Sequence, residues 1–142
     1  MSDPVLMVTA DGRRLAFRMA DVLEVQESGP VHRVPAALAA LRGVTPVRGR
    51  LVPLVHLGAL INRGACSPEP PGTVVVVQTE LGVVAFEVEA ADASPGAEVV
   101  PAPEESALPW VEGVLRRDDG WVPVLNLDAL VERLRSHEVT RA

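Results

Sequence analysis

The sequence predicts a mainly all-β protein built from two related small antiparallel barrels, and three observations carry that reading. The first is an internal repeat. Leu41–Ile61 reads LRGVTPVRGRLVPLVHLGALI and Val111–Val131 reads VEGVLRRDDGWVPVLNLDALV. At a constant offset of about 70 residues, Gly43-Val44 meets Gly113-Val114, Val52-Pro53 meets Val122-Pro123, and Leu57, Ala59 and Leu60 meet Leu127, Ala129 and Leu130. Leu15-Ala16-Phe17 is echoed by Val84-Ala85-Phe86. The second observation is that the β-prone runs are short and separated by Gly and Asp turn signals. The third is that no helix of about 10–15 residues follows each strand, as a parallel α/β sheet would require. Closing Val-rich sheets into barrels also removes their adhesive edges. The repeat places approximate lobes at residues 5–64 and 73–134 of a single domain, with strands free to be exchanged between them.

Val5 to Thr9 is the first expected strand, and Ala10-Asp11-Gly12-Arg13 turns it into Leu15-Ala16-Phe17. Asp21 to Glu27 (DVLEVQE) is expected to start as a helical turn capped by Asp21 and to continue as a strand, broken by Ser28-Gly29-Pro30. Pro35 to Leu41 (PAALAAL) reads as a short helix that starts on proline and ends before Gly43. Arg50 to Val55 is strongly β-prone, but Pro53 argues for an edge or barrel-corner strand, because proline has no N–H for a ladder. Ala65 to Gly72 (ACSPEPPG) is a linker, and Thr73 to Gln78 (TVVVVQ) opens the second copy as a buried strand. Glu80-Leu81-Gly82 then turns it into Val83 to Val88. Ala90 to Glu105 reads as surface loops and short strands. Leu127 to Leu134 (LDALVERL) has the apolar spacing of a helix docking one face, and His137 to Ala142 is expected to fray.

Composition narrows the function. The 142 residues are 48% hydrophobic and only 3% aromatic, so burial rests on Val, Leu and Ala. No apolar run reaches the roughly 20 residues that span a bilayer, and the N-terminus lacks a basic region followed by an apolar core. With the single cysteine, Cys66, excluding an internal disulfide, these features point to the cytoplasm without membrane insertion. Every cation is an arginine. Residues 1–64 hold eight Arg against five acids, and residues 65–142 hold five Arg against fourteen. A net charge of −6 disfavours nucleic acid, which requires a concentrated basic face.

The residues of common catalytic and metal sites are not assembled. His32, His56 and His137 are far apart and Cys66 has no partner cysteine, so metal-ligand spacing is absent. There is no Gly-x-Ser-x-Gly turn, no dinucleotide fingerprint, and no lysine for a phosphate loop or a Schiff base. The acid pairs Asp118-Asp119 and Glu104-Glu105 read as solvated turns, and His56 as a solvent-facing or satisfied core residue. We therefore expect neither an enzyme nor a bound cofactor or metal. What is left is Val25-Gln26-Glu27 together with Leu41 to Arg50, where glycines allow sharp bends. Arg48 sits at such a bend between Val47 and Gly49, and a guanidinium held there can meet a partner's carboxylate with a fixed fork of donors.

These residues resemble a known family. LRGVTPVRGRLVPLVHL is similar to the signature of CheW-like domains, roughly I-[RK]-G-V-x-N-L-R-G-x-x-[VI]-P-V-V-D-L. DVLEVQE, VVVVQTELGVVAFEVEAADA and VEGVLRRDDGWVPVLNLDALV resemble its other segments in order and spacing, from about Val5 to Leu134. The resemblance implies a pair of packed five-stranded SH3-like barrels and a chemotaxis adaptor. Its partners would be the coiled-coil tip of a chemoreceptor, received in a groove between the lobes, and the regulatory domain of a CheA-type histidine kinase, met barrel against barrel. Self-association through the same fold is a further implied contact. Carried onto this chain, the partner-binding positions are Val25, Glu27, Gly43 and Arg48, with Arg48 in the receptor groove. Two departures stand out: Pro46 replaces the family's Asn and His56 its Asp, so one coupling of the two could be altered. The alternatives are a divergent scaffold of this kind that binds only receptor or only kinase in a motility or other signalling array, a ligand-binding or enzymatic pocket between the lobes, and a self-assembling structural module.

Overall fold

The computed structural model describes residues 3–34, 39–103, 108–117 and 120–141. Strands β1 (Asp3–Ala10) and β2 (Arg13–Arg18) lead through a 3₁₀ turn (Met19–Asp21) to β3 (Val22–Glu27). Strands β4 (Leu41–Val47) and β5 (Arg50–His56) and helix α1 (Leu57–Asn62) complete the first copy. The second runs β6 (Thr73–Thr79), β7 (Gly82–Val88), β8 (Ala90–Ala97), β9 (Val99–Val100), β10 (Val111–Arg117), β11 (Gly120–Leu125) and helix α2 (Leu127–Arg141).

The strands form two SH3-like subdomains, with sheet orders β8-β1-β2-β11-β10-β9 and β3-β6-β7-β5-β4. Each copy lends its first hairpin to the other. The β1–β2 hairpin joins β8, β10 and β11, while β6–β7 joins β3, β4 and β5. The joints match: β11 meets β2 in parallel at Val124↔Ala16, and β5 meets β7 in parallel at Leu54↔Ala85. The lobes drawn along the chain at 5–64 and 73–134 are thus stitched together by reciprocal exchange.

Alternation explains the core. On β1 and β6, Val5, Met7, Val74 and Val76 point into their own barrels, in two separate small clusters. Leu6, Val8, Val75 and Val77 point the other way, into a larger core between the sheets that α1 and α2 close with Leu57, Leu60, Leu127 and Leu130. A strand buried on both faces needs a continuous apolar run, which is why β6 reads TVVVVQT.

Gly43 and Gly113 occupy the same place in the two barrels, each where the register shifts by a bulge. At both, another backbone passes close by. A Cβ on Gly43 would overlap the carbonyl of His32, and one on Gly113 would fall 2.8 Å from the carbonyl oxygen of Val100. These segments pair with the next residue of each copy, His32↔Val44 and Val100↔Val114.

Several expectations need correction. Strand β5 is interior, flanked by β4 and β7. Pro53 is tolerated because its opposite, Val44, spends both backbone groups on His32 (2.8 and 2.9 Å), and because β7 joins only from Leu54. The 3₁₀ turn precedes β3 and ends at Asp21, so Asp21 does not cap it. Ala90–Ala97 is a full strand, because β1 offers it a ladder that composition does not reveal. Helix α2 continues to Arg141 rather than fraying at His137. Leu41 opens β4, and the rest of the helix expected at Pro35–Leu41 falls largely outside the described residues, as do the acid pairs. Among the described residues no helix is long and apolar enough to cross a membrane.

Candidate functional site

A two-residue turn joins β4 to β5, and its central residues Arg48 and Gly49 have φ of 49° and 80°. Positive φ at both positions marks the turn type that matches strand twist, and Gly49 supplies it without cost. The turn holds Arg48 above one end of the barrel. Its Nε donates to Glu24 Oε2 at 2.7 Å, yet the Arg48 side chain remains 80% exposed. Its remaining guanidinium donors make no described contact within the chain.

Beneath this ion pair lies an open groove of about 540 Å³ lined by Leu23, Val47, Leu51, Val52, Val76 and Val83. Leu51 is 62% exposed and Leu23 52%. Two large apolar side chains at a charged rim give the apolar-core, polar-edge pattern of contact sites between proteins. Pro46 does not disturb the turn. It lies on edge strand β4 opposite Leu51, and the alternation of the ladder makes this a pair that exchanges no hydrogen bonds.

The structure gathers only part of the expected set. Arg48 lines this barrel-end groove and not the cleft between the lobes, where the resemblance places it, because its turn closes the β4–β5 end of one barrel. Val25 and Glu27 share the exposed face of β3 with Leu23, but of the three only Leu23 reaches the groove. Gly43 is buried in the β4 bulge, where its lack of a side chain admits the His32 segment. Glu24, Leu23 and Leu51 did not emerge from the sequence as site residues. The alternation of VLEVQE separates Glu24 from Val25 and Glu27, and Leu51 follows the turn directly. Both signals were present in the sequence, but reading them required knowing which face looks toward Arg48.

A second concavity, of about 480 Å³, runs between the two sheets. It is an open, polar cleft carrying Asp21, Glu80, Glu112 and Asp128. Arg18 pairs with Glu112 on its β2/β10 wall, and Asp128 Oδ1 accepts from the Glu80 amide at 3.2 Å. Asn126 caps α2 at its edge, accepting from the Ala129 amide at 3.1 Å. The Leu51 position recurs in the other barrel as Trp121, 60% exposed beneath the Arg116 guanidinium at 6.0 Å. Among the described residues no group of three or more His, Cys, Asp or Glu is placed to hold a metal ion.

His56 is a core residue, as one of the two readings has it, but its ring is not fully satisfied. It is buried at the end of β5, and its Nδ1 has no hydrogen-bond partner among the described residues.

Two exchanged SH3-like barrels, one with an apolar groove at its end and both bordering an acidic cleft, define a double-barrel module. The CheW-like domain family matches residues 4–135, and the chain belongs to that family. The crystal structure of the scaffolding protein TtCheW from Thermoanaerobacter tengcongensis is similar in fold, with a TM-score of 0.81 at 20% identity, covering 93% of this chain and 94% of that one. A comparison with curated proteins gives no match.

Proposed function

We propose that the protein is a non-enzymatic chemotaxis scaffold that couples the cytoplasmic tip of a chemoreceptor to a CheA-type histidine kinase. Family membership supports the scaffold role. The observation that supports the coupling is the presence of two separate concavities on one body, the apolar groove under Arg48 and the acidic cleft between the lobes. A scaffold has to hold two partners at once, and surfaces on different elements allow it.

The groove is the kinase-facing surface in this reading. It suits a barrel-against-barrel contact, in which Leu23 and Leu51 are covered and Arg48 meets a carboxylate. The cleft between the lobes receives the receptor hairpin. Trp121, in the place equivalent to Leu51, offers a further barrel-end contact for the kinase's own domain or for a second copy. The retained turn at Arg48 favours coupling to both partners over a scaffold restricted to one. Localisation at receptor arrays follows from the same reading.

The test is titration calorimetry of the protein against receptor signalling tips and against the kinase regulatory domain, separately and together. Micromolar binding to both, with a ternary complex, supports the proposal. Binding to one alone would reduce the chain to a single-partner scaffold, and binding to neither would overturn the reading.

A further inference from the structure

A buried polar centre lies where β4, β5 and β7 meet the loop 63–72. Glu87 is fully buried, and its Oε1 accepts from Arg42 Nε at 2.5 Å. Arg42, itself buried, reaches on to the loop, its Nη2 donating to the carbonyl of Ser67 at 2.9 Å and to its Oγ at 3.1 Å. Cys66 Sγ adds a bond to the Ala39 carbonyl at 3.3 Å. Among these ties of the loop to the first barrel, the Arg42 guanidinium is the one that also holds a buried carboxylate.

Two polar atoms are left over. Glu87 Oε2 and His56 Nδ1 are both buried without a partner among the described residues. They belong to register neighbours, since His56 stands opposite Glu87 in the parallel β5–β7 pairing. Their side chains therefore emerge on the same face of the sheet.

We propose that Arg42, Glu87 and His56 form a proton-operated latch on the loop 63–72. While His56 is neutral, Arg42 alone holds Glu87 and the loop stays tied. When His56 takes a proton from solvent, its ring N–H turns to Glu87 Oε2, a second cation stands beside Arg42, and the tie to Ser67 slackens. The loop leads into β6, whose Val76 lines the groove, and its end is bonded to the end of β3 by Ser28 N–H to the Gly72 carbonyl at 3.0 Å. Slackening is thereby passed to the strand whose Glu24 holds Arg48.

The charged groups around His56 come from several elements. Burial disfavours the charged ring most, and Arg42 on β4 acts in the same sense. Glu87 on β7, Asp11 in the β1–β2 turn and Glu89 beyond β7 oppose them. Burial prevails and holds the His56 pKa below its ordinary 6.5. Burial raises the pKa of the Cys66 thiol, which adds no charge near neutral pH. A lowered histidine pKa means the fold prefers the neutral ring. Its contribution is complete above the ordinary value and is lost as pH falls through the lower, folded one.

The experiment combines proton NMR titration of the histidine rings with hydrogen exchange of amides 63–72 over a pH series from neutral to mildly acidic, corrected for intrinsic rates. It uses the full chain and its His56→Asn variant. We expect His56 to titrate below 6.5. Loop protection should be lost in step with it, and His56→Asn should lose this response. A His56 midpoint at or above 6.5 overturns the latch, as does equal acid loosening in the variant. If the variant does not fold, the wild type decides alone, because mismatched midpoints for ring and loop are equally fatal.

Discussion

Phe17 and Phe86 lie against one another with ring centroids 5.8 Å apart and planes inclined by 38°, and they are the same position of the two copies. Phe17 sits on β2 and Phe86 on β7, the second strands of the two exchanged hairpins. A residue that touches its own repeat counterpart lies near the axis relating the copies. Both rings are fully buried in the core between the sheets, so the exchange of hairpins and the joining of the lobes share one contact.

Because the two rings share that contact, their contributions should not add. Phe17→Leu and Phe86→Leu should each cost on the order of 1–2 kcal/mol, the larger part being imperfect refilling of the space. The aromatic pair is worth about 0.5–1.5 kcal/mol beyond its area and can be lost only once. Chemical denaturation of both singles and the double should give a double-mutant loss smaller than the sum by about that amount. Strict additivity would show that the rings are independent.

The bulge glycines make a second pair. Gly43→Ala places a methyl group on the His32 carbonyl and Gly113→Ala one against Val99 and Val100, with backbone as the obstacle in both cases. Each should destabilise by about 1–3 kcal/mol, the usual cost of overpacking. Gly64→Ala meets open space and should change the melting temperature little. For Gly43 this separates framework from partner contact: any binding defect of Gly43→Ala should track its loss of stability across temperature.

Much of the fold was legible because the sequence repeats. Gly-Val, Val-Pro and Leu-x-Ala-Leu at one offset announce two like units, and alternation identifies strands such as β3. The hairpin exchange was not legible, since β1–β2 pairs locally in either arrangement and the choice is made by distant partners. The Pro53 inference failed for a related reason. Proline forbids a hydrogen bond only where the ladder asks for one, and His32, far away in sequence, takes Val44 out of that ladder. At the site, Arg48 could be read from its turn. Glu24 and Leu51 needed the closure of the barrel to bring β3 and β5 to the same end.

Arg48 and Glu24 offer a clean test of that site. The pair is largely exposed, so it contributes about 0–1 kcal/mol to stability. Arg48→Glu should therefore leave the melting temperature nearly unchanged and weaken kinase-domain binding about tenfold or more, through like-charge repulsion and the loss of the donor fork. The swap Arg48→Glu with Glu24→Arg restores the internal pair but moves the guanidinium to β3. If the swap regains stability without binding, the position of the cation is what the partner reads. Full recovery of binding would make the ion pair a structural brace only.

The buried Arg42–Glu87 pair should behave in the opposite way. Arg42 and Glu87 are both removed from water, and desolvating two ions offsets most of their mutual attraction. Removing one partner leaves an uncompensated charge, so Arg42→Met should cost about 3–5 kcal/mol. It should also free Ser67, whose carbonyl loses its donor. The double variant Arg42→Met/Glu87→Val removes both charges and fills the space with apolar groups. It should recover most of that loss by urea denaturation, while the loop 63–72 stays less protected from exchange than in the wild type. Stability and loop order then come apart: the ion pair contributes little net to the first and, through Arg42, sets the second. If Arg42→Met and the double variant were equally unstable, the Glu87 carboxylate would not be the source of the cost, and the assignment of Arg42 as its sole neutralising partner would fail.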